Sequence, residues 1–259
     1  MKQYLKEIFE YRELLWNLII NELKLRYRGS FLGFLWTILN PLLYLIILAT
    51  VFSKIMRFQI DNYIIFLLAG LTSWTMIQQT ITIATGSIVN NQALFRRVYV
   101  PKILFPLSNV LARFIDHTIM TIILVGFMVF FKMPFTLSLL MLPVFILLHF
   151  LFTLGFSLIS SVVQIKIKDV QQILAIAFQA LFFLTPIIYT LENIPEKYKS
   201  LFLLNPFYYF VQCFRYPVYY STMPPIKIIL IALALTIFVL VVGFLLFYKK
   251  EKYFVFHLS

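Results

Sequence analysis

The chain has 259 residues, 62% of them hydrophobic and 12% charged, with a formal net charge of +12. A soluble globular domain is nearer half apolar and a quarter charged, so this composition excludes an ordinary water-soluble core. A single cysteine, Cys213, excludes an intrachain disulfide framework. Lys and Arg gathered between apolar runs fit orientation in a bilayer better than nucleic-acid binding.

Residues 2–22 come first and are amphipathic. At 100° per residue, Tyr4, Leu5, Ile8, Phe9, Tyr11, Leu15, Trp16, Leu18 and Ile19 fall on one half-circle, while Glu7, Glu10 and Glu13 fall on the other with Lys2 and Lys6. Arg12 lies on the apolar side, and its long stem can snorkel. The segment therefore reads as an interfacial helix on the inner leaflet, with its acidic face against a soluble partner. The first apolar run follows only after about 30 charged and mixed residues with no small-residue cleavage site behind it, so no cleaved signal peptide is expected.

Charge-free stretches then locate the spans, because an unpaired charge in hydrocarbon is costly. Five such stretches, with a sixth that is apolar on either side of Arg113, Asp116 and His117, predict six transmembrane helices, at about 34–56, 63–85, 104–131, 136–164, 171–191 and 227–248, each long enough for the ~20 residues that a crossing needs. Residues 1–33 read as a cytoplasmic interface segment, 34–252 as the six-span domain and 253–259 as a cytoplasmic tail. With the N-terminus inside, the inner segments hold fourteen Lys and Arg and the outer segments seven, which places both termini in the cytoplasm.

The first span opens with Lys24, Arg26 and Arg28, which suit anionic headgroups, and with Trp36 near the interface. The second span is rich in Thr72, Ser73, Thr75, Gln78, Gln79, Thr80 and Thr82, a pattern for either a wet passage or interhelical hydrogen bonds. The loop that follows carries Leu94, Phe95, Arg96, Arg97, Val98 and Tyr99, and Pro101 breaks the chain before the third span. It is a short apolar and basic segment suited to a groove on a soluble domain. Arg113 and Asp116 stand three apart in the third span and share a helix face. Left unpaired they would cost about 5–7 kcal/mol, so an ion pair between them is expected. Lys166, Lys168 and Asp169 make a second, smaller inner loop. His117, His149 and His257 lie far apart and have no metal-ligand spacing.

Between spans five and six, Pro206, Pro217 and Pro224-Pro225 cut an aromatic stretch into pieces too short to cross. Outer re-entrant half-helices are expected there. Phe207, Tyr208, Tyr209 and Tyr216 offer ring faces with polar tips, suited to the C–H faces and hydroxyls of a sugar or to an interfacial aromatic belt. Trp36, Tyr44, Trp74 and Gln78 are the corresponding candidates in the first two spans.

The order of residues adds a resemblance. Arg26 to Arg28, Leu32-Gly33, Trp36 and Pro41 closely resemble the start of permease subunits of type-2 ABC exporters that move polysaccharides such as O antigen or teichoic acid. Leu68 to Trp74, then Ser87, Asn90 and Asn91, Arg96 to Pro101 and Pro106, and finally Asn205 to Phe207 with Arg215 and Tyr216, match in the same order. The resemblance implies an all-α ABC-2 type permease fold working as a homodimer with two copies of a separate ATPase subunit that binds ATP and Mg. The 92–103 loop would be a coupling helix. The chain itself has no Gly-x-x-x-x-Gly-Lys-Ser/Thr loop, so it is expected to be a transport subunit without catalytic residues, metal or cofactor. The substrate implied is a lipid-linked polysaccharide crossing the inner (cytoplasmic) membrane. A type-2 permease for a drug or lipid, an ion-coupled transporter and a membrane anchor for a soluble complex are the rivals. The few ionisable groups at mid-membrane speak against ion coupling, and the polar second span speaks against an anchor.

Overall fold

The computed structural model describes residues 7–56, 59–95 and 99–254. Among these the chain is all-helical, without strands. Five helical stretches are long and apolar enough to cross a membrane: Gly33–Ile55, Tyr63–Leu94, Leu104–Phe130, Leu137–Lys166 and Ile226–Tyr253. We label the α-helices α1 (Arg12–Tyr27), α2 (Trp36–Ala49), α3 (Tyr63–Asn90), α4 (Gln92–Phe95), α5 (Leu104–Phe130), α6 (Leu142–Lys166), α7 (Val170–Phe183), α8 (Glu196–Leu203), α9 (Pro206–Arg215) and α10 (Ile226–Lys250).

The predicted fifth span is shorter than expected. Over 171–191 the structure has only α7, whose 14 residues reach about 21 Å against a hydrocarbon core of about 30 Å. The helix stops before Thr185-Pro186, because Pro186 lacks the N–H that another turn would use. The Thr185 hydroxyl donates instead to the Leu181 carbonyl. Beyond it, α8 and α9 stand where short half-helices are expected. Asn205 caps α9 by accepting from Phe207 N–H at 3.0 Å, and Pro206 occupies the first turn. The Asn205 amide also donates to Leu184 O and Thr185 Oγ1, so one side chain joins the end of α7 to the start of α9.

Helix α3 is the hub. It packs against α2, α5, α6, α7 and α9, and most of its length is buried. Its neighbour α6 runs closely along α10. A Cβ on Gly155 would lie 2.6 Å from Leu240 N, and one on Gly243 would strike the Gly155 carbonyl. Only glycine lets the two backbones approach this far, the small-residue device of membrane helix pairs. By contrast, the outer sides of α2 and α10 are largely exposed, as expected of surfaces that meet lipid or another membrane chain.

The amphipathic segment differs from a helix lying wholly on lipid. Ile8, Tyr11, Leu14, Leu15 and Leu18 pack onto a cluster built from Ile88, Leu104, Phe105, Leu158 and Phe247, and Ile19 is buried as well. Phe9 and Trp16 remain exposed. The apolar half-circle is therefore shared, with one edge on protein and one edge outward. Arg12 lies over the Phe9 ring at 5.2 Å, which keeps its charge beside an aromatic face.

Candidate functional site

A cleft of about 730 Å³ runs between α2, α3, α5 and α7. Its walls follow from helix periodicity. Thr75, Gln79 and Thr82 lie at i, i+4 and i+7 on α3 and form one polar stripe. Arg113, Asp116, His117 and Met120 form the facing stripe of α5. Trp36, Asn40 and Tyr44 of the first span and Gln179 and Phe182 of α7 complete the cleft.

At its charged end Asp116 Oδ2 accepts from Arg113 Nη1 at 3.4 Å and, in a shorter contact, from Arg26 Nη1. Arg113 Nη1 donates in turn to Gln79 Oε1 at 3.0 Å. The sequence led us to expect the Arg113–Asp116 pair but placed Arg26 at lipid headgroups. The structure brings Arg26 across 90 residues to the same carboxylate, because the packing of α1 against α5 carries the end of α1 to the cleft. Two cations on one anion leave the cluster positive by formal count.

The candidate aromatics divide. Trp36 and Tyr44 are exposed in the cleft. Trp74 is buried at its floor, where its indole N–H donates to Gln78 Oε1 at 3.0 Å and its ring meets Phe178, Phe182 and Phe207 edge-on. Phe207 and Tyr208 are buried against protein and do not line the cleft. The Tyr209 hydroxyl donates to Leu203 O, and the Tyr216 ring packs on Tyr220. The polar residues of α3 divide likewise. Thr75, Gln78, Gln79 and Thr82 face the cleft, whereas Ser73 bonds His149 and Thr85 bonds Ser160 across helices.

Sequence spacing also hid a histidine pair. His117 and His149 stack with ring centroids 6.0 Å apart, although 32 positions separate them. His149 is satisfied, by Ser73 Oγ at 2.7 Å and Phe145 O at 2.8 Å. No group of three His, Cys, Asp or Glu that could hold a metal occurs among the described residues.

The loops expected to face inward are tied into the chain. The Tyr99 hydroxyl donates to Glu7 at 2.9 Å, and this carboxylate pushes the phenol up to about 12. Lys102 N–H donates to Glu251 at 2.5 Å. Leu94, Glu10, Glu13, Lys166, Lys168 and Asp169 are exposed. Arg96, Arg97 and Val98 of the expected coupling loop lie outside the described residues. In the second loop Gln164 fixes the turn, donating to Lys168 O and accepting from Gln171 N–H.

Comparison with known proteins accords with this arrangement. The family model described as ABC-2 type transporter matches residues 13–219, from α1 to the end of the aromatic segment. The chain is 34% identical over 209 residues to the O-antigen export system permease protein RfbA of Myxococcus xanthus, covering 80% of each chain. It is 33% identical over 187 residues to the protein of the same name from Klebsiella pneumoniae, covering 71% of this chain and 72% of that one. The polysialic acid transport protein KpsM of Escherichia coli is 28% identical over 214 residues, with 76% and 78% covered. A multi-pass helical bundle, a polar cleft between its spans and a family match over most of the length agree: the chain is a membrane protein of the ABC-2 type transporter family.

Proposed function

We propose that this chain is the membrane-spanning subunit of an ATP-driven exporter that moves a lipid-linked polysaccharide outward across the cytoplasmic membrane. Two copies form the passage, and two copies of a P-loop ATPase, which binds ATP and Mg, drive it from the side of both termini. The observation that carries the reading is the cleft, a membrane-embedded surface with amide, hydroxyl and aromatic groups on the helices of one chain. A glycan needs such a lining, because its hydroxyls require hydrogen-bond partners that hydrocarbon cannot supply. The curated relatives named for O-antigen export and polysialic acid transport support the substrate class. A polymer exceeds any closed cavity, so a continuous passage completed by the second copy fits better than an alternating pocket.

Orientation follows from charge. Arg215 is wholly buried in protein and Arg26 is engaged by Asp116, so neither counts as a loop charge, and the Lys and Arg excess on the side of the termini is thirteen against six. Residues 184–225, with α8 and α9, serve as the outer re-entrant segment. The 92–103 loop receives the ATPase stroke.

Deleting the gene should remove the surface polysaccharide and leave lipid-linked glycan inside the cell, with restoration by the intact chain together with its ATPase. Unchanged surface glycan in the deletion strain, with lost efflux of a hydrophobic drug, would replace this reading with a drug permease.

A further inference from the structure

The two loops expected to face inward, 92–103 and 165–170, are joined to each other through the bundle. Gly86, one turn before the end of α3, is buried, and a Cβ on it would lie 2.7 Å from Gln171 Oε1 and 3.2 Å from Asn90 Nδ2. Only glycine lets the Gln171 side chain come this close to the α3 backbone. Gln171 stands in the first turn of α7. Its backbone N–H donates to Gln164 Oε1 at 2.8 Å, and Gln164 Nε2 donates to Lys168 O at 2.7 Å. One side chain thus ties the end of α6, the 165–170 loop and the start of α7 together. On the other side the Asn91 amide donates to Ser87 O at 2.8 Å, and α4 follows at once from Gln92. A chain of contacts therefore runs from loop 92–103 through the end of α3 and Gln171 to loop 165–170.

This contact stands at the edge of the cleft. α3 and α7 run antiparallel: Gly86 meets Gln171, and further along Trp74 meets Phe178 and Phe182. Between those two contacts both helices give residues to the cleft, Gln79 and Ile83 from α3, Ala175 and Gln179 from α7. Ile83 is three residues from Gly86, and Ala175 is four from Gln171. The contact therefore lies about one helical turn from the end of the cleft on each helix. Close-packed interiors transmit strain instead of absorbing it, so a displacement at the contact reaches the cleft walls. Both loops expose side chains to a partner, Leu94 on one and Ile167 and Lys168 on the other.

We propose that Gly86 and Gln171 form the joint through which the two loops move the cleft. Gln171 is a positioning residue. It ties the start of α7 to α3, so a load from the ATPase on either loop shifts both helices, and with them two walls of the cleft, as one body. Without it, loop 165–170 would move α7 alone, and α3 would follow loop 92–103 alone. The joint rests on the reading of this chain as an ATP-driven exporter, and it gives the smaller loop a task that its charge by itself does not.

The test uses the full permease–ATPase complex in its own cells. Gln171→Ala removes the side chain over Gly86 and leaves the backbone bond to Gln164. It should lower surface glycan at least fivefold at normal permease abundance, while ATP hydrolysis by the purified complex stays within twofold of that with the unsubstituted chain. Export by Gln171→Ala equal to that of the unsubstituted chain would overturn the joint. A second measurement asks for gain instead of loss. Gly86→Cys with Gln171→Cys replaces the contact by two thiols, and Cys213 is buried away from the oxidant. In membrane vesicles from the glycan-producing cells the reduced pair should export as poorly as Gln171→Ala. Oxidation should raise export at least threefold, because a covalent bond takes over the joint, and reductant should lower it again. Cross-linking that leaves export unchanged or lowers it would overturn the joint, as would thiols that do not cross-link. The deletion strain separates the two proposals. If surface glycan persists without the gene, the export reading fails; if it disappears and the Gln171→Ala chain restores it fully, only the joint fails.

Discussion

Arg215 shows how much a single residue can organise in an apolar bundle. It is completely buried, donates to Pro186 O at 2.7 Å and Ile187 O at 2.8 Å, and stands 3.8 Å over the Phe66 ring. Gly70 makes the space, since a Cβ there would strike the guanidinium. Arg215→Met leaves two buried carbonyls unpaired, at about 1–3 kcal/mol each, and should lower the thermal midpoint of the detergent-purified protein. Gly70→Ala should lower it through the same contact. The double variant should then lose less than the sum of the two, because no guanidinium remains to be displaced. Strict additivity in that cycle would show that the two residues act separately. Asp116 makes a second case. Asp116→Asn leaves Arg26 and Arg113 facing each other, and breaking a buried pair costs up to about 3–5 kcal/mol. The end of α1 is then less firmly held, so trypsin should cut after Lys24, Arg26 or Arg28 faster than in the unsubstituted chain. Unaltered cleavage would mean that α1 is held by its apolar contacts alone. The Arg113–Asp116 pair was legible from a spacing of three residues. Arg26 was not, since its motif reads equally well as a headgroup anchor.

Among the helices, the closest approach is that of α6 and α10 at Gly155 and Gly243. Gly243→Leu or Gly155→Leu should force the pair apart and reduce the yield of folded protein in size-exclusion chromatography. Gly126→Ala is the control: nothing lies within 4 Å of a Cβ at that position, and the change should leave the yield as it is. The charge-free stretches found the long helices because hydrocarbon tolerates so few unpaired charges. They placed the start of α3 at Tyr63, and the apolar run before Arg113 placed that of α5 at Leu104, but the end of α3 runs on to Asn90, past the polar residues where the span was expected to stop. A helix that leaves the bilayer needs no change of backbone, so hydropathy does not mark its end. The fifth span was misjudged for the opposite reason. Its apolar composition continues to Leu191, while Pro186 ends the hydrogen-bond ladder earlier.

At the scale of the whole molecule, the loop 92–103 contacts segments from both ends of the chain. Glu7 from the N-terminal helix holds Tyr99, and Glu251 after α10 holds the Lys102 backbone. If this loop takes the ATPase stroke as proposed, a push on it reaches the segments next to α1 and α10 together. Reversing its charge by Arg96→Glu with Arg97→Glu should leave ATP hydrolysis by the reconstituted complex running while glycan export stops. Export at the normal rate by that variant would remove the loop from the drive path. The membrane class, the five long apolar helices and the family were all determined by the sequence, because each depends on local composition or on motif order along the chain. The tertiary structure alone decided that Arg26 joins Asp116, that His117 stacks on His149, that Trp36 and Tyr44 face a cleft while Phe207 and Tyr208 are buried, and that Arg215 is an internal clamp rather than a loop charge. Those outcomes depend on which face of each helix meets which neighbour, and in a chain apolar on nearly every face, periodicity does not specify it.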